Sequence, residues 1–120
     1  MEKSDVSKLF KELLGSQLSS VEFVQDYLQL RFDGPCISVF NPLTVKTKQS
    51  EITSWNDGFR DLLCNQITKV VTQVSFESNK QLSIEFMDRS EINVSLRADD
   101  YSSPEAIDWD GFKNGGWFCK

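Results

Sequence analysis

Hydrophobic residues follow two different spacings along this chain, and the same succession of spacings occurs twice. Near the N-terminus they lie three or four positions apart, which predicts an amphipathic helix that begins at Ser4 or Asp5 and ends at Gly15. Its hydrophobic residues are Val6, Leu9, Phe10, Leu13 and Leu14. From Gln17 onwards, hydrophobic and polar residues alternate, which predicts strands with one solvent-exposed face. The first unit is therefore predicted to be a helix followed by a three-stranded antiparallel meander.

Turn-forming residues divide this first meander into its strands. Gln25-Asp26 and Asp33-Gly34-Pro35 interrupt the alternation and are predicted as turns. The hydrophobic strand residues are Val21 and Phe23, then Leu28, Leu30 and Phe32, then Ile37 and Val39, with Leu43 extending the third strand.

A second unit with the same organisation begins at Ser54. Ser54 and Asp57 have the spacing of a capping box, and they precede a helical face of Trp55, Phe59, Leu62 and Leu63. Alternating stretches at about 67–77, 80–88 and 90–97 predict three further strands.

The two units also resemble each other residue by residue. Of the nine positions in 10–18 and 59–67, four are identical and four more keep size and chemistry. The hydrophobic strand positions Val21, Phe23, Leu28, Leu30, Phe32, Ile37 and Val39 have counterparts in Val74, Phe76, Leu82, Ile84, Phe86, Ile92 and Val94. We therefore predict one domain over 1–120, with duplicated units at about 5–44 and 54–97. Its predicted fold class is α+β: a pseudo-twofold, six-stranded sheet with both helices on one face.

The segment 98–120 has no evident counterpart in the first unit, and it combines acidic with aromatic residues. The residues Ser103-Pro104-Glu105-Ala106 predict one short helical turn. Aromatic side chains here either close an open end of the core or contact a partner. The candidate partner-binding residues are Asp99, Asp100, Tyr101, Glu105, Asp108 and Asp110.

Charge and composition restrict the kinds of partner. Thirteen Lys plus Arg against eighteen Asp plus Glu give a net charge of −5, which opposes nucleic-acid binding and favours a basic protein partner. No apolar run is long enough for a membrane span, and the N-terminus lacks a signal-peptide pattern. With three widely spaced cysteines predicted to be buried and reduced, a cytoplasmic location is expected.

The chain contains no histidine, which removes the commonest general base and the usual nucleophile pairs. We therefore expect a protein that is not an enzyme and that needs no cofactor or metal. Asp108-Trp109-Asp110-Gly111 matches only part of a calcium loop and is expected to be a solvated turn. Cys64 follows Arg60 by one helical turn, but its position at a helix C-terminus favours packing in the core over reactivity.

Two stretches carry a resemblance to known proteins: the residues 58–64 (GFRDLLC) and 95–106 (SLRADDYSSPEA). There the chain resembles a family of small, functionally uncharacterised bacterial proteins similar to immunity or accessory proteins of bacterial toxin systems. The resemblance implies that the protein neutralises a basic toxin by occluding it.

Three functional hypotheses follow from these observations. The first is a non-enzymatic protein-binding module, in the form of an immunity protein. The second is a structural homodimer formed through an exposed edge strand. The third is a binder of a small ligand, which requires a concave pocket.

Overall fold

Two antiparallel β-sheets, rather than one, make up this protein. We describe it from a computed structural model that covers residues 10–25, 27–101, 106–112 and 116–119. The described residues form ten strands: β1 (Ser20–Val24), β2 (Tyr27–Arg31), β3 (Cys36–Val39), β4 (Leu43–Lys46), β5 (Glu51–Thr53), β6 (Val71–Glu77), β7 (Gln81–Phe86), β8 (Glu91–Ser95), β9 (Ile107–Phe112) and β10 (Gly116–Cys119). They also form the short helix α1 (Phe59–Cys64) and two 3-10 turns, Lys11–Leu13 and Ala98–Asp100.

The order of the strands shows how the chain moves between the sheets. The first sheet has the order β1-β2-β3-β9-β10, and the second has the order β5-β4-β8-β7-β6. All neighbouring strands are antiparallel. Each sheet therefore consists of one consecutive meander, β1-β2-β3 or β6-β7-β8, and one hairpin from elsewhere in the chain.

The predicted α+β fold, with six strands in one sheet and both helices on one face, is wrong. The two meanders lie in different sheets, and the sheets cover each other's apolar faces. The chain leaves the first sheet at Asn41-Pro42, where the Pro42 carbonyl accepts a hydrogen bond from the Ser95 amide at 3.0 Å. Leu43 thus begins a new strand in the second sheet rather than extending β3. A proline has no N–H for a sheet ladder, which suits it to this crossover.

The two meanders have the same register at the positions that the sequence comparison aligned. The corresponding cross-strand pairs are Val21–Leu30 and Val74–Ile84, Phe23–Leu28 and Phe76–Leu82, Leu28–Val39 and Leu82–Val94, and Leu30–Ile37 and Ile84–Ile92. The same hydrophobic positions therefore face the core in both meanders.

The two added hairpins also occupy equivalent positions. Strand β4 pairs with β8 through Leu43–Val94 and Val45–Ile92, and β9 pairs with β3 through Ile107–Val39 and Trp109–Ile37. Each hairpin follows its own meander in the chain but joins the other meander's sheet. The expectation that the C-terminal segment has no counterpart in the first unit is thus wrong, because β9 corresponds to β4.

One hydrophobic cluster fills the space between the sheets. Alternate residues of the central strands are buried, for example Leu82, Ile84 and Phe86 of β7, each with no exposed surface. The largest fully buried side chain is that of Trp109 in β9. Burying such side chains is the main stabilising contribution, about 25 cal/mol for each Å² of apolar surface.

The short helical segments fill the sides of the sandwich rather than covering a sheet face. Phe59 of α1 is 1% exposed, and the helix contacts β1 of one sheet and β4 and β5 of the other. Phe10, the equivalent residue, stacks on Phe76 of β6 at 5.7 Å and meets Trp109 of β9 edge-on at 5.2 Å. In each unit, one phenylalanine therefore fills the gap between the edge strand of one sheet and the hairpin that belongs to the other sheet.

The second helix differs from its predicted extent, and the first can be compared only from residue 10 onwards. The predicted start of the first helix lies outside the described residues. Its described end is a 3-10 turn that stops before Gly15. Leu14, which was predicted to be on the hydrophobic face, is 45% exposed. Helix α1 begins at Phe59, four residues after Trp55, because Gly58 adopts a left-handed conformation with φ of 83°. No helix in the described ranges is long and apolar enough to cross a membrane.

Substituting Gly111 in β9 tests the position of the C-terminal hairpin. Its φ is 78°, and a Cβ atom there would overlap the backbone carbonyl of Gly34. We expect Gly111→Ala to lower the free energy of unfolding by about 3 kcal/mol, through left-handed strain and overpacking together. Gly15→Ala is the control, because Gly15 has a similar φ of 85° but no atom within 4 Å. It should cost only about 1 kcal/mol. Equal losses in denaturant unfolding would contradict the approach of β9 to Gly34.

Candidate functional site

A cleft opens where the chain crosses from the first sheet to the second. Its volume is about 620 Å³. We call it the Trp55 cleft; its lining residues are Tyr27, Leu28, Val39, Phe40, Asn41, Pro42, Thr53, Ser54, Trp55 and Asp100. The residues come from the start of β2, the end of β3 and the β3–β4 crossover, the end of β5 and the loop after it, and the β8–β9 connection. The cleft thus uses loops of both units.

Aromatic rings form one wall of the Trp55 cleft. Tyr27 and Phe40 lie at the ends of the paired strands β2 and β3, and their ring centroids are 5.1 Å apart. Both side chains are half-buried, whereas Leu28 and Val39 beside them are almost completely buried. The wall therefore continues the hydrophobic core outwards to the surface.

Trp55 is the most exposed large aromatic residue of the cleft, at 46%. Its φ of 70° is unusual for a bulky side chain, which disfavours the left-handed region. The loop is fixed on both sides: the Ser54 hydroxyl accepts a hydrogen bond from the Leu43 amide at 3.0 Å, and the Asn56 amide donates to the Thr53 carbonyl at 3.2 Å. Hydrogen bonds of the neighbouring residues thus hold the Trp55 backbone in a strained conformation, with its side chain about half exposed.

Three other side chains pack around the Trp55 indole. Phe59 and Phe23 meet it edge-on, with centroids 5.7 and 6.3 Å away. The Arg60 guanidinium lies 5.7 Å from the indole centroid and 5.4 Å from that of Phe23. Trp55 also borders a smaller depression of about 280 Å³, lined by residues 55–61. The ring therefore stands between two concave surfaces.

Two polar side chains of the cleft, Asn41 and Asp100, present hydrogen-bond acceptors. Asn41 is only 4% exposed, and its Nδ2 donates to the Ser95 carbonyl at 2.8 Å. Its Oδ1 is buried and has no hydrogen-bond partner among the described residues. The half-buried Asp100 carboxylate accepts a hydrogen bond from the Ser95 hydroxyl. A buried acceptor without a partner loses about 1–3 kcal/mol of solvation, so Asn41 Oδ1 favours a donor.

The predicted partner-binding residues do not form one surface. Asp99, Asp100 and Tyr101 lie together in the β8–β9 connection, and of these Asp100 lines the Trp55 cleft. Asp108 and Asp110 instead belong to β9, where they pair with Ser38 and Cys36 on the outward side of the first sheet. Glu105 lies outside the described residues, as does most of the turn predicted for 103–106.

The predicted solvated turn at 108–111 is wrong, because these residues are part of β9. They alternate between an inward Trp109 and outward carboxylates, as strand periodicity requires. Among the residues that the structure describes, no group of three or more His, Cys, Asp or Glu side chains is placed to hold a metal ion.

Three aromatic residues of the cleft were not identified from the sequence as candidates for a site. Trp55 fitted a helical face, while Tyr27 and Phe40 interrupt the strand alternation next to turns. A hydrophobic pattern assigns such residues to the core, since it contains no information about which strand ends meet. The only signal in the sequence was the presence of large aromatic residues beside the turn residues Asp26, Asn41 and Asn56.

The two cysteines whose side chains the structure describes are both free and differ in exposure. Cys36 is 9% exposed, and burial raises the pKa of its thiol, which opposes thiolate formation. Cys64 is free and exposed at the end of α1, so the prediction that it packs in the core is wrong. The side chain of Cys119 lies outside the described residues.

A second polar cluster joins the end of α1 to the turn between β7 and β8. The Ser90 hydroxyl lies 2.8 Å from Gln66 Oε1 and 2.5 Å from Asp88 Oδ1. Lys69 Nζ donates to Gln66 at 3.0 Å and forms an ion pair with Asp88 at 2.7 Å. Hydrogen bonds from Lys69 and Ser90 lower the pKa of Asp88 to about 2. Each of these four side chains has a partner within the cluster. We therefore assign the cluster a role in the stability of the fold.

Acid titration tests this assignment. The pKa of Asp88 is lowered from 3.8 to about 2, so its stabilising contribution is complete above pH 3.8 and is lost as the pH falls towards 2. The side chain is 51% exposed, which limits that contribution to under about 1 kcal/mol. Asp88→Asn should therefore lower the free energy of unfolding at neutral pH, with the difference from wild type vanishing near pH 2. Asp57→Asn, at an exposed position, is the control; a constant difference for Asp88→Asn at all pH values would contradict the assignment.

Comparison of the chain with protein-family models, with curated proteins and with solved structures finds no match. The functional argument therefore depends on the geometry of the Trp55 cleft and on the charge of the chain.

Proposed function

We propose that this chain is a non-enzymatic protein-binding module and that the Trp55 cleft is the centre of its contact surface. The observation that carries the proposal is the half-exposed Trp55, held in a strained conformation beside a concave surface. Tryptophan, tyrosine and arginine dominate the binding energy of protein interfaces. Trp55 and Tyr27 line the cleft, and the Arg60 guanidinium lies 5.7 Å from the centroid of the Trp55 indole. Strained residues cluster at functional sites.

Charge supports a basic partner for this module. The chain carries a net charge of −5, and Asp99, Asp100 and Tyr101 lie in the connection that borders the cleft. An acidic surface speeds encounter with a basic protein and selects against acidic ones. Occlusion of a basic toxin, as the resemblance to immunity proteins implies, is the particular form that we propose. About 800 Å² on each partner suffices for a stable complex.

Binding of a small ligand is the second candidate, and the volume of the cleft favours it. Ligand pockets commonly measure about 300–1,000 Å³, a range that includes the 620 Å³ found here.

A homodimer through an edge strand has weaker support. Strand β6 is an edge, but it has a register irregularity between Val71 and Gln73, and it ends in the exposed Glu77. Bulges and charges are features that oppose edge-to-edge pairing.

Substituting Trp55 tests the proposal without unfolding the protein. Trp55→Gly removes the indole together with its contacts to Phe23, Phe59 and Arg60, while glycine adopts a φ of 70° without strain and offsets part of that loss. The free energy of unfolding should fall by about 2 kcal/mol, and the protein should remain folded. Binding to the natural partner should weaken at least tenfold, as expected for an interface residue that contributes about 2 kcal/mol or more. The measurement is co-purification from the native host followed by titration of the identified partner.

Met87→Ala is the matched control, because Met87 is a hydrophobic residue that is 68% exposed on the β7–β8 turn, outside the cleft lining. This variant should retain the partner at full affinity. If Trp55→Gly bound the partner as tightly as the wild type and Met87→Ala do, the contact surface would lie elsewhere.

A further inference from the structure

We propose that the Trp55 cleft receives a basic side chain, arginine or lysine, from the partner protein. This inference depends on the proposed protein-binding function and specifies the chemistry of the contact. It joins three features of one cavity. Among the described residues, one acceptor has no hydrogen-bond partner and one carboxylate forms no ion pair; the third feature is a wall of aromatic rings.

The first feature is the amide of Asn41 at the cleft lining. Its Nδ2 is used in the 2.8 Å hydrogen bond to the Ser95 carbonyl, which fixes the orientation of the amide. Its Oδ1 is left as a pure acceptor, buried and without a hydrogen-bond partner in the described ranges. Because this atom has less than 1 Å² of exposed surface, a guanidinium or ammonium group reaches it only when the cleft lining moves. Either group consists only of donors and then satisfies it.

The second feature is the carboxylate of Asp100. It accepts a hydrogen bond from the Ser95 hydroxyl, but within the described part of the chain it forms no ion pair. Arg97 and Lys80 border a neighbouring depression that Asp100 also lines, yet neither basic group lies within 4 Å of its oxygens. The negative charge of Asp100 therefore remains available to a cation from outside, and such charge-assisted hydrogen bonds are the stronger kind.

The third feature is the aromatic wall formed by Tyr27 and Phe40, together with Trp55 in the same cleft. The faces of aromatic rings attract cations, tryptophan most strongly. The molecule already contains one such contact, between the Arg60 guanidinium and Trp55 at 5.7 Å. Arg60 lines the smaller depression and not the Trp55 cleft, so the Tyr27–Phe40 pair has no described cation over it.

Size and polarity agree with an arginine or lysine side chain. The cleft holds about 620 Å³, which accommodates a long side chain together with adjoining backbone. Its base, formed by Leu28 and Val39, is apolar and suits the methylene stem, while the charged end reaches the polar rim. A carboxylate ligand would instead face Asp100 and an unpaired carbonyl oxygen, which disfavours it.

Small probes test this inference independently of the partner. We would titrate N-acetylarginine amide, N-acetyllysine amide and N-acetylcitrulline amide into the ¹⁵N-labelled full chain and follow amide and indole chemical shifts. Citrulline has nearly the shape of arginine but no charge. A basic probe should give saturable shifts at Asn41, Trp55 and Asp100, and citrulline should bind at least fivefold more weakly.

Asp100→Asn should weaken binding of the basic probe about tenfold, since it removes the charge but keeps an acceptor for Ser95. Asp110→Asn, which changes the net charge equally on the outward side of β9, should leave the affinity unchanged. Equal binding of citrulline, equal loss in both variants, or shifts spread over all acidic residues would overturn the inference.

The proposed function would survive such a result if Trp55→Gly still abolished capture of the partner. Loss of the proposed function with intact probe binding would instead favour a small cationic ligand.

Discussion

Pairing of β3 with β9 and of β4 with β8 is the constraint on which this structure depends. Each pairing attaches a hairpin from one half of the chain to the meander of the other half. The apolar faces of both sheets are thereby brought together, and Ile37, Val39, Ile92 and Val94 become almost completely buried. Neither unit can bury its sheet alone, because two of the five strands of each sheet belong to the other unit. Folding of the two halves is therefore coupled through hydrogen bonds and a shared core.

The Trp55 cleft lies where the two units cease to be equivalent. The β3–β4 crossover needs only Phe40, Asn41 and Pro42, whereas the β8–β9 connection runs from residue 96 to residue 106. The two connections are joined by hydrogen bonds from the amides of Phe40 and Asn41 to the Ala106 carbonyl and from Asn41 to Ser95. The longer connection brings Asp100 to the aromatic wall formed by Tyr27 and Phe40. Asymmetry between duplicated units thus creates a concave, acidic and aromatic surface from a scaffold built for packing.

Prediction from the sequence succeeded where short-range periodicity decides the structure. Alternation of hydrophobic and polar residues located the strands of both meanders to within a few residues, and it aligned the positions that share a register. It failed for the start of the second helix, because a hydrophobic spacing at Trp55, Phe59 and Leu62 is equally compatible with a loop that precedes a six-residue helix. It also failed for 108–111, where acidic residues alternate with Trp109 in a strand. The candidate site was predicted in part, through Asp99, Asp100 and Tyr101, since charge is visible in a sequence and the meeting of strand ends is not.

The sequence by itself determined the meanders, the turns between them and the face of each strand that is buried, because these depend on neighbours two to four residues apart. Only the tertiary structure decided which sheet each hairpin joins, since that choice depends on pairing between strands as distant as β3 and β9. The same long-range pairing exposed Trp55 and placed it beside Asn41 and Asp100. Strand exchange between the halves has no local signature, because a hairpin has the same hydrophobic pattern whichever sheet it completes.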